Sequence, residues 1–136
     1  VFDIIGLDWG EKYFGLALLS TKTGLILPYT GQIKSYQILD VLNGQVSKNP
    51  IKLVILGRPL NFSGENILNS QKVDNFVKKL EDLFPSLQIR TFDERNTSLE
   101  AEKSLKKLGN SNKEGVHHLA AMKILEKYLE KENLTK

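Results

Sequence analysis

Apolar residues in the first third of the chain gather into three short runs separated by turn residues. Residues 1–9 carry Phe2, Ile4, Ile5 and Leu7, residues 14–20 carry Phe14, Leu16, Ala17, Leu18 and Leu19, and Gly10 separates the two. A third run, 25–33, follows the Thr23-Gly24 turn signal, so the pattern predicts three strands in an antiparallel meander. Ile38, Leu39, Leu42 and Val46 then recur at helical spacing, and Asn49-Pro50 ends that helix because proline disfavours helical geometry in the residue before it. Leu53-Val54-Ile55-Leu56, bounded by Gly57 and Pro59, is a continuous apolar run of the kind helices cover on both faces, and it predicts a central strand.

Across 66–84, Val73, Phe76, Val77, Leu80, Leu83 and Phe84 mark one face of a helix that Pro85 closes. Residues 88–92 form a short predicted strand, after which Thr97 and Glu100 make a capping-box pair opening a helix with Ala101, Leu105 and Leu108. The polar, glycine-flanked stretch 109–115 (GNSNKEG) predicts a loop, and 116–132 a last helix with a frayed tail. The expected order is β-β-β-α-β-α-β-α-α, an α/β domain with a mixed sheet and no internal repeat.

Composition narrows this picture. At 136 residues the chain is expected to form one domain, 1–136, and 40% apolar with 26% charged residues excludes disordered and collagen-like classes. Without cysteine there is no disulfide framework, thiolate nucleophile or cysteine metal site, which makes a cytoplasmic setting the default expectation. The longest apolar stretches fall far short of the roughly 18 residues of a membrane span, and no charged-then-apolar leader is visible, so no membrane partner is expected. The chain opens on Val1 and not Met, which leads us to expect a residue or a tag missing ahead of it and little else. A net charge of +3 permits a polyanionic partner without requiring one.

Three places could carry chemistry. Asp8, in Gly6-Leu7-Asp8-Trp9-Gly10, puts a carboxylate at the end of an apolar strand between glycines that admit close approach. Unpaired burial there is costly, so such an acid serves a metal, a hydrogen-bond network or catalysis, the competing reading being a turn cap. Asp3 reads as a solvent-facing strand residue. Asp93-Glu94-Arg95 ends another strand just before a helix N-terminus, where ligands of open α/β sheets collect, and a self-paired surface cluster is the alternative. On the last helix, Ala120, Ala121, Ile124, Leu125 and Tyr128 centre close to the direction of His117, which is therefore expected to face inward. His118 lies toward the edge of that stripe and is expected either half exposed or placed behind the site, supporting the residues that form it. An inward histidine is more often a satisfied core residue than a ligand.

Four stretches, GLDWGEKYFGLAL (6–18), VILGRPLNFSGE (54–65), TFDERNTSLEAEKSL (91–105) and VHHLAAMKILEKYL (116–129), resemble the YqgF (RuvX)-type family of Holliday junction resolvases and pre-16S rRNA nucleases. The resemblance spans nearly the whole chain in order. It implies an RNase H-like fold, a mixed five-stranded sheet with helices on both faces, and a metal-dependent endonuclease acting on precursor ribosomal RNA, on ribosomal precursor particles or on branched DNA. The family's metal-binding triad falls on Asp8, Glu94 and His117, with Mg²⁺ or Mn²⁺ as cofactor, and Lys12, Arg58 and Arg95 become candidate phosphate contacts.

The sequence departs from the family at four points: His117 stands for an acid, Tyr13 for a basic residue, Arg58-Pro59-Leu60 for Leu-Pro-Leu, and Asn96 for the leucine of DERLT. Replacing a carboxylate by imidazole shifts metal preference from Mg²⁺ toward Mn²⁺ and later metals. A nucleic-acid-binding or ribosome-assembly factor that has lost a metal ligand is the reading from a different class. Monomer and homodimer both stay open.

Overall fold

The apolar run at the front of the chain becomes β1 (Ile4–Asp8), buried along its whole length because it occupies the middle of the sheet. The computed structural model describes residues 1–58, 65–93 and 113–134. β2 (Tyr13–Leu19) folds back antiparallel on β1, pairing Ile4 with Leu19 and Asp8 with Gly15. The third run does not form one strand. It divides into β3 (Ile26–Pro28) and β4 (Ile33–Lys34), which pair with the two halves of β2. Pro28 cannot donate to a ladder and Gly31 turns the chain at φ +104°, so the backbone leaves β2 between the two segments.

A 3-10 turn (Ser35–Gln37) leads into α1 (Ile38–Lys48), which buries Ile38 and Leu42. β5 (Leu53–Arg58) then enters parallel to β1, and β6 (Gln88–Asp93) parallel to β5, with α2 (Glu65–Leu83) preceding β6 in the chain. The strand order is β3-β2-β1-β5-β6, with β4 beside β3 on the β2 edge, so five positions hold six segments. β5 is an interior strand, but β1 and not β5 is central. The last helix, α3 (Lys113–Leu134), starts inside the stretch predicted as a loop. The helix predicted from Thr97 lies outside the described residues.

Strand alternation sorts the side chains into two cores. Ile5, Leu7, Val54 and Leu56 face α1 and α2, where Val73 and Leu80 of α2 join them. Ile4, Ala17, Leu53 and Ile55 face α3 and pack on Ala121, Ile124 and Leu125. Leu83, expected on the apolar face of α2, is 54% exposed as the last residue of that helix. Among the described residues, no helix is long and apolar enough to cross a membrane.

Candidate active site

The alternation that sends Leu7 to the α1 and α2 side sends Asp8 to the α3 side, at the end where β1, β5 and β6 all finish. Asp8 is only 4% exposed. A carboxylate removed from water costs several kcal/mol unless it is hydrogen-bonded. His117, in the early part of α3, supplies the bond: its Nδ1 lies 2.8 Å from Asp8 Oδ2. An ionised carboxylate only accepts, so Nδ1 carries the proton and donates it. The His117 side chain keeps 28% of its surface, so the pair opens to solvent on the histidine side.

Two glycines allow α3 to come this close. Gly15 stands opposite Asp8 on β2, and a Cβ there would lie 1.9 Å from the His117 carbonyl oxygen. At Gly6 a Cβ would meet Leu125 Cγ at 2.7 Å. The helix backbone therefore rests directly on the sheet, which carries His117 over the strand end. Gly10 closes the other side, where a Cβ would lie 2.1 Å from the Tyr13 carbonyl and 3.4 Å from His117 Cε1. The Tyr13 ring centroid is 6.5 Å from that of His117.

His118 behaves differently from its expected half-exposed position. It is 7% exposed, its Nδ1 accepts the Leu16 N–H at 3.1 Å, and its Nε2–H donates to the Gly31 carbonyl at 2.7 Å. It fills the break between β3 and β4, where the β2 backbone has no strand partner, and so stitches α3 to the edge of the sheet. This is the satisfied core histidine, while His117 is bonded to Asp8. Sequence reasoning missed Gly15, although a glycine between Phe14 and Leu16 in an apolar strand is itself a signal of close approach.

Glu94 and Arg95 lie outside the described residues, which reach Asp93 at the end of β6. Arg58 is the last residue of β5, in register with Asp93. Lys12 is exposed in the β1–β2 turn, and its carbonyl accepts the Ser35 N–H at 2.8 Å. Asp3, at the far end of β1, is tied to Thr21 and lies 3.5 Å from Lys52 Nζ. Partial burial pushes its carboxyl up, but the Thr21 hydrogen bonds and the Lys52 ammonium together outweigh that and hold it below the usual 3.8.

The donor set of the pair suits a divalent ion. Cis ligands of an octahedral ion with bonds of about 2.1 Å stand about 3 Å apart, close to the 2.8 Å between the oxygen and nitrogen here, and for Nδ1 to ligate an ion its proton would have to move to Nε2. Among the described residues, no group of three His, Asp or Glu that could hold a metal ion forms.

A mixed sheet in this order, with its acid at the end of the first strand, is the RNase H-like fold. The chain is similar in structure to T. thermophilus RuvC in complex with Holliday junction substrate, with TM-score 0.60 and 10% identity over 95% of each chain. The fowlpox virus Holliday junction resolvase matches with TM-score 0.53 and 16% identity, covering 94% of this chain and 98% of that one. In sequence, a Bacteroides thetaiotaomicron protein provisionally named a pre-16S rRNA nuclease is 33% identical over 93% of this chain and 95% of its own. A Chlorobaculum tepidum protein of the same name is 33% identical over 93% and 92%. The RuvX family, described as Holliday junction resolvase, matches residues 3–131, and the chain belongs to that family.

Proposed function

We propose that this protein is a divalent-metal-dependent endonuclease that hydrolyses phosphodiester bonds in precursor 16S ribosomal RNA in the cytoplasm. The observation that carries the reading is the buried Asp8 carboxylate held against His117 at the spacing of two ligands. Asp8, His117 and Glu94 would hold the ion, Mg²⁺ or Mn²⁺. When bound, the ion would supply an activated water and stabilise the charge of the leaving oxygen. Asp8 contributes the fixed negative charge, and β1 and α3 fix its orientation by packing. His117 would contribute a nitrogen where the family resemblance implies an acid, which would lower the negative charge of the site and favour Mn²⁺ over Mg²⁺. Lys12, Arg58 and Arg95 are the residues we assign to the substrate phosphates.

The substrate reading follows the names of the curated relatives, and the family description supports branched DNA as the alternative. One observation favours a third reading, a binding or ribosome-assembly role without catalysis. The hydrogen bond from His117 already satisfies Asp8 with no ion present. A cleavage assay separates these, using a precursor-16S fragment and a four-way DNA junction with wild type and Asp8→Asn in Mn²⁺. Cleavage of the RNA by wild type, lost in Asp8→Asn, supports the nuclease. Cleavage of the junction alone moves the substrate to DNA, and cleavage of neither supports the assembly factor.

A further inference from the structure

Asp8 faces α3, but the next residue faces the opposite side of the sheet. Trp9 packs on the α1 and α2 core with its ring edge-on to Phe14, centroids 6.4 Å apart, and remains partly exposed. It forms one wall of a cleft of about 310 Å³, whose other walls include Phe76, Asn75, Lys72 and Lys79 of α2 and Glu11. Lys72 is engaged by Glu11 at 3.0 Å. Lys79 is exposed and makes no ion pair among the described residues, so the cleft carries one uncommitted positive charge beside an indole face. The cleft adjoins the Asp8–His117 pair across a single residue. Gly10 lines the cleft, and a Cβ on it would reach within 3.4 Å of the His117 ring.

An aromatic face, an amide and a free ammonium are the groups that hold an unpaired nucleotide, since every base has a stackable face and every phosphate a charge. We infer that the Trp9–Lys79 cleft binds an unpaired nucleotide of the nucleic-acid strand, its base on Trp9 and its phosphate on Lys79, next to the bond to be cleaved. The inference rests on the nuclease reading for its choice of occupant. It adds a binding subsite on the opposite face of the sheet, and it predicts that the strand crosses the sheet end over Gly10.

Trp9 is the sole tryptophan of the chain, so tryptophan fluorescence is read from this cleft. The experiment titrates an oligouridylate decamer into the full chain, in EDTA, over a range of salt. Wild type is expected to show saturable quenching, with binding that weakens as salt rises. Lys79→Ala is expected to raise Kd several-fold and to reduce the log–log salt slope by about 0.7, the share of one phosphate contact on a single strand. Unquenched Trp9 emission at saturating decamer overturns the inference, as it would if the cleft receives a protein segment. An unchanged Kd and slope in Lys79→Ala overturn it too. Quenching without any Mn²⁺-dependent cleavage by wild type leaves the cleft standing and removes the nuclease instead.

Discussion

Gly15→Ala tests whether the contact between α3 and β2 sets the site. The added Cβ would lie 1.9 Å from the His117 carbonyl oxygen, 2.2 Å from its carbon and 2.9 Å from its Cα. These are backbone atoms of a packed helix and cannot swing aside as a side-chain tip would. Restoring ordinary contact requires the start of α3 to retreat by about 1.5 Å. The same retreat stretches the Asp8–His117 bond from 2.8 Å, and the Leu16–His118 bond from 3.1 Å, beyond hydrogen-bonding range. Overpacking costs about 1–3 kcal/mol, and each of the two hydrogen bonds lost adds about 1 kcal/mol. Replacing glycine recovers less than about 1 kcal/mol through the unfolded chain. The expected net loss is about 2–4 kcal/mol, or roughly 10 °C in Tm for a chain of this size. Urea unfolding followed by circular dichroism measures it, and any nuclease activity falls with it. A Gly15→Ala protein within about 0.5 kcal/mol of wild type would refute the reasoning, because α3 would then not be seated by that contact.

Two other predictions concern the frame around the site. His118→Ala leaves the Leu16 N–H and the Gly31 carbonyl without their partner, and is expected to destabilise by about 2–4 kcal/mol; amide exchange at Leu16 that stays as slow as in wild type would contradict it. Asp3 has a lowered folded pKa, so its contribution is full above the unfolded value near 3.8 and is lost as pH falls through the lower folded value. Asp3→Asn should therefore flatten the acid limb of stability below about pH 4 and lower stability at neutral pH, and a wild-type acid limb in the variant would count against this.

What the sequence revealed follows from how local each cause is. β1, β2 and β5 were legible because their apolar runs are dictated by burial in a sheet covered on both faces. The split of the third strand follows from Pro28 and Gly31, whose effect depends on how they meet β2, a partner the local pattern does not name. Asp8 was legible as a carboxylate in an apolar run. His117 and His118 show the limit of a helical wheel. It gave the direction of the apolar stripe, but α3 begins beyond the sheet face, so the residue on that direction meets the strand end. Its neighbour is drawn into a backbone gap that only the tertiary fold creates.

The central claim is that Asp8 and His117 are two ligands of one catalytic ion. Its most direct test is the initial rate of precursor-16S cleavage by wild type, Asp8→Asn and His117→Asp, each in Mg²⁺, in Mn²⁺ and in EDTA. Wild type is expected to be faster in Mn²⁺ than in Mg²⁺, His117→Asp to gain at least tenfold in Mg²⁺, and Asp8→Asn or EDTA to remove cleavage. Cleavage that survives Asp8→Asn, or a His117→Asp protein whose metal preference is unchanged, would contradict it.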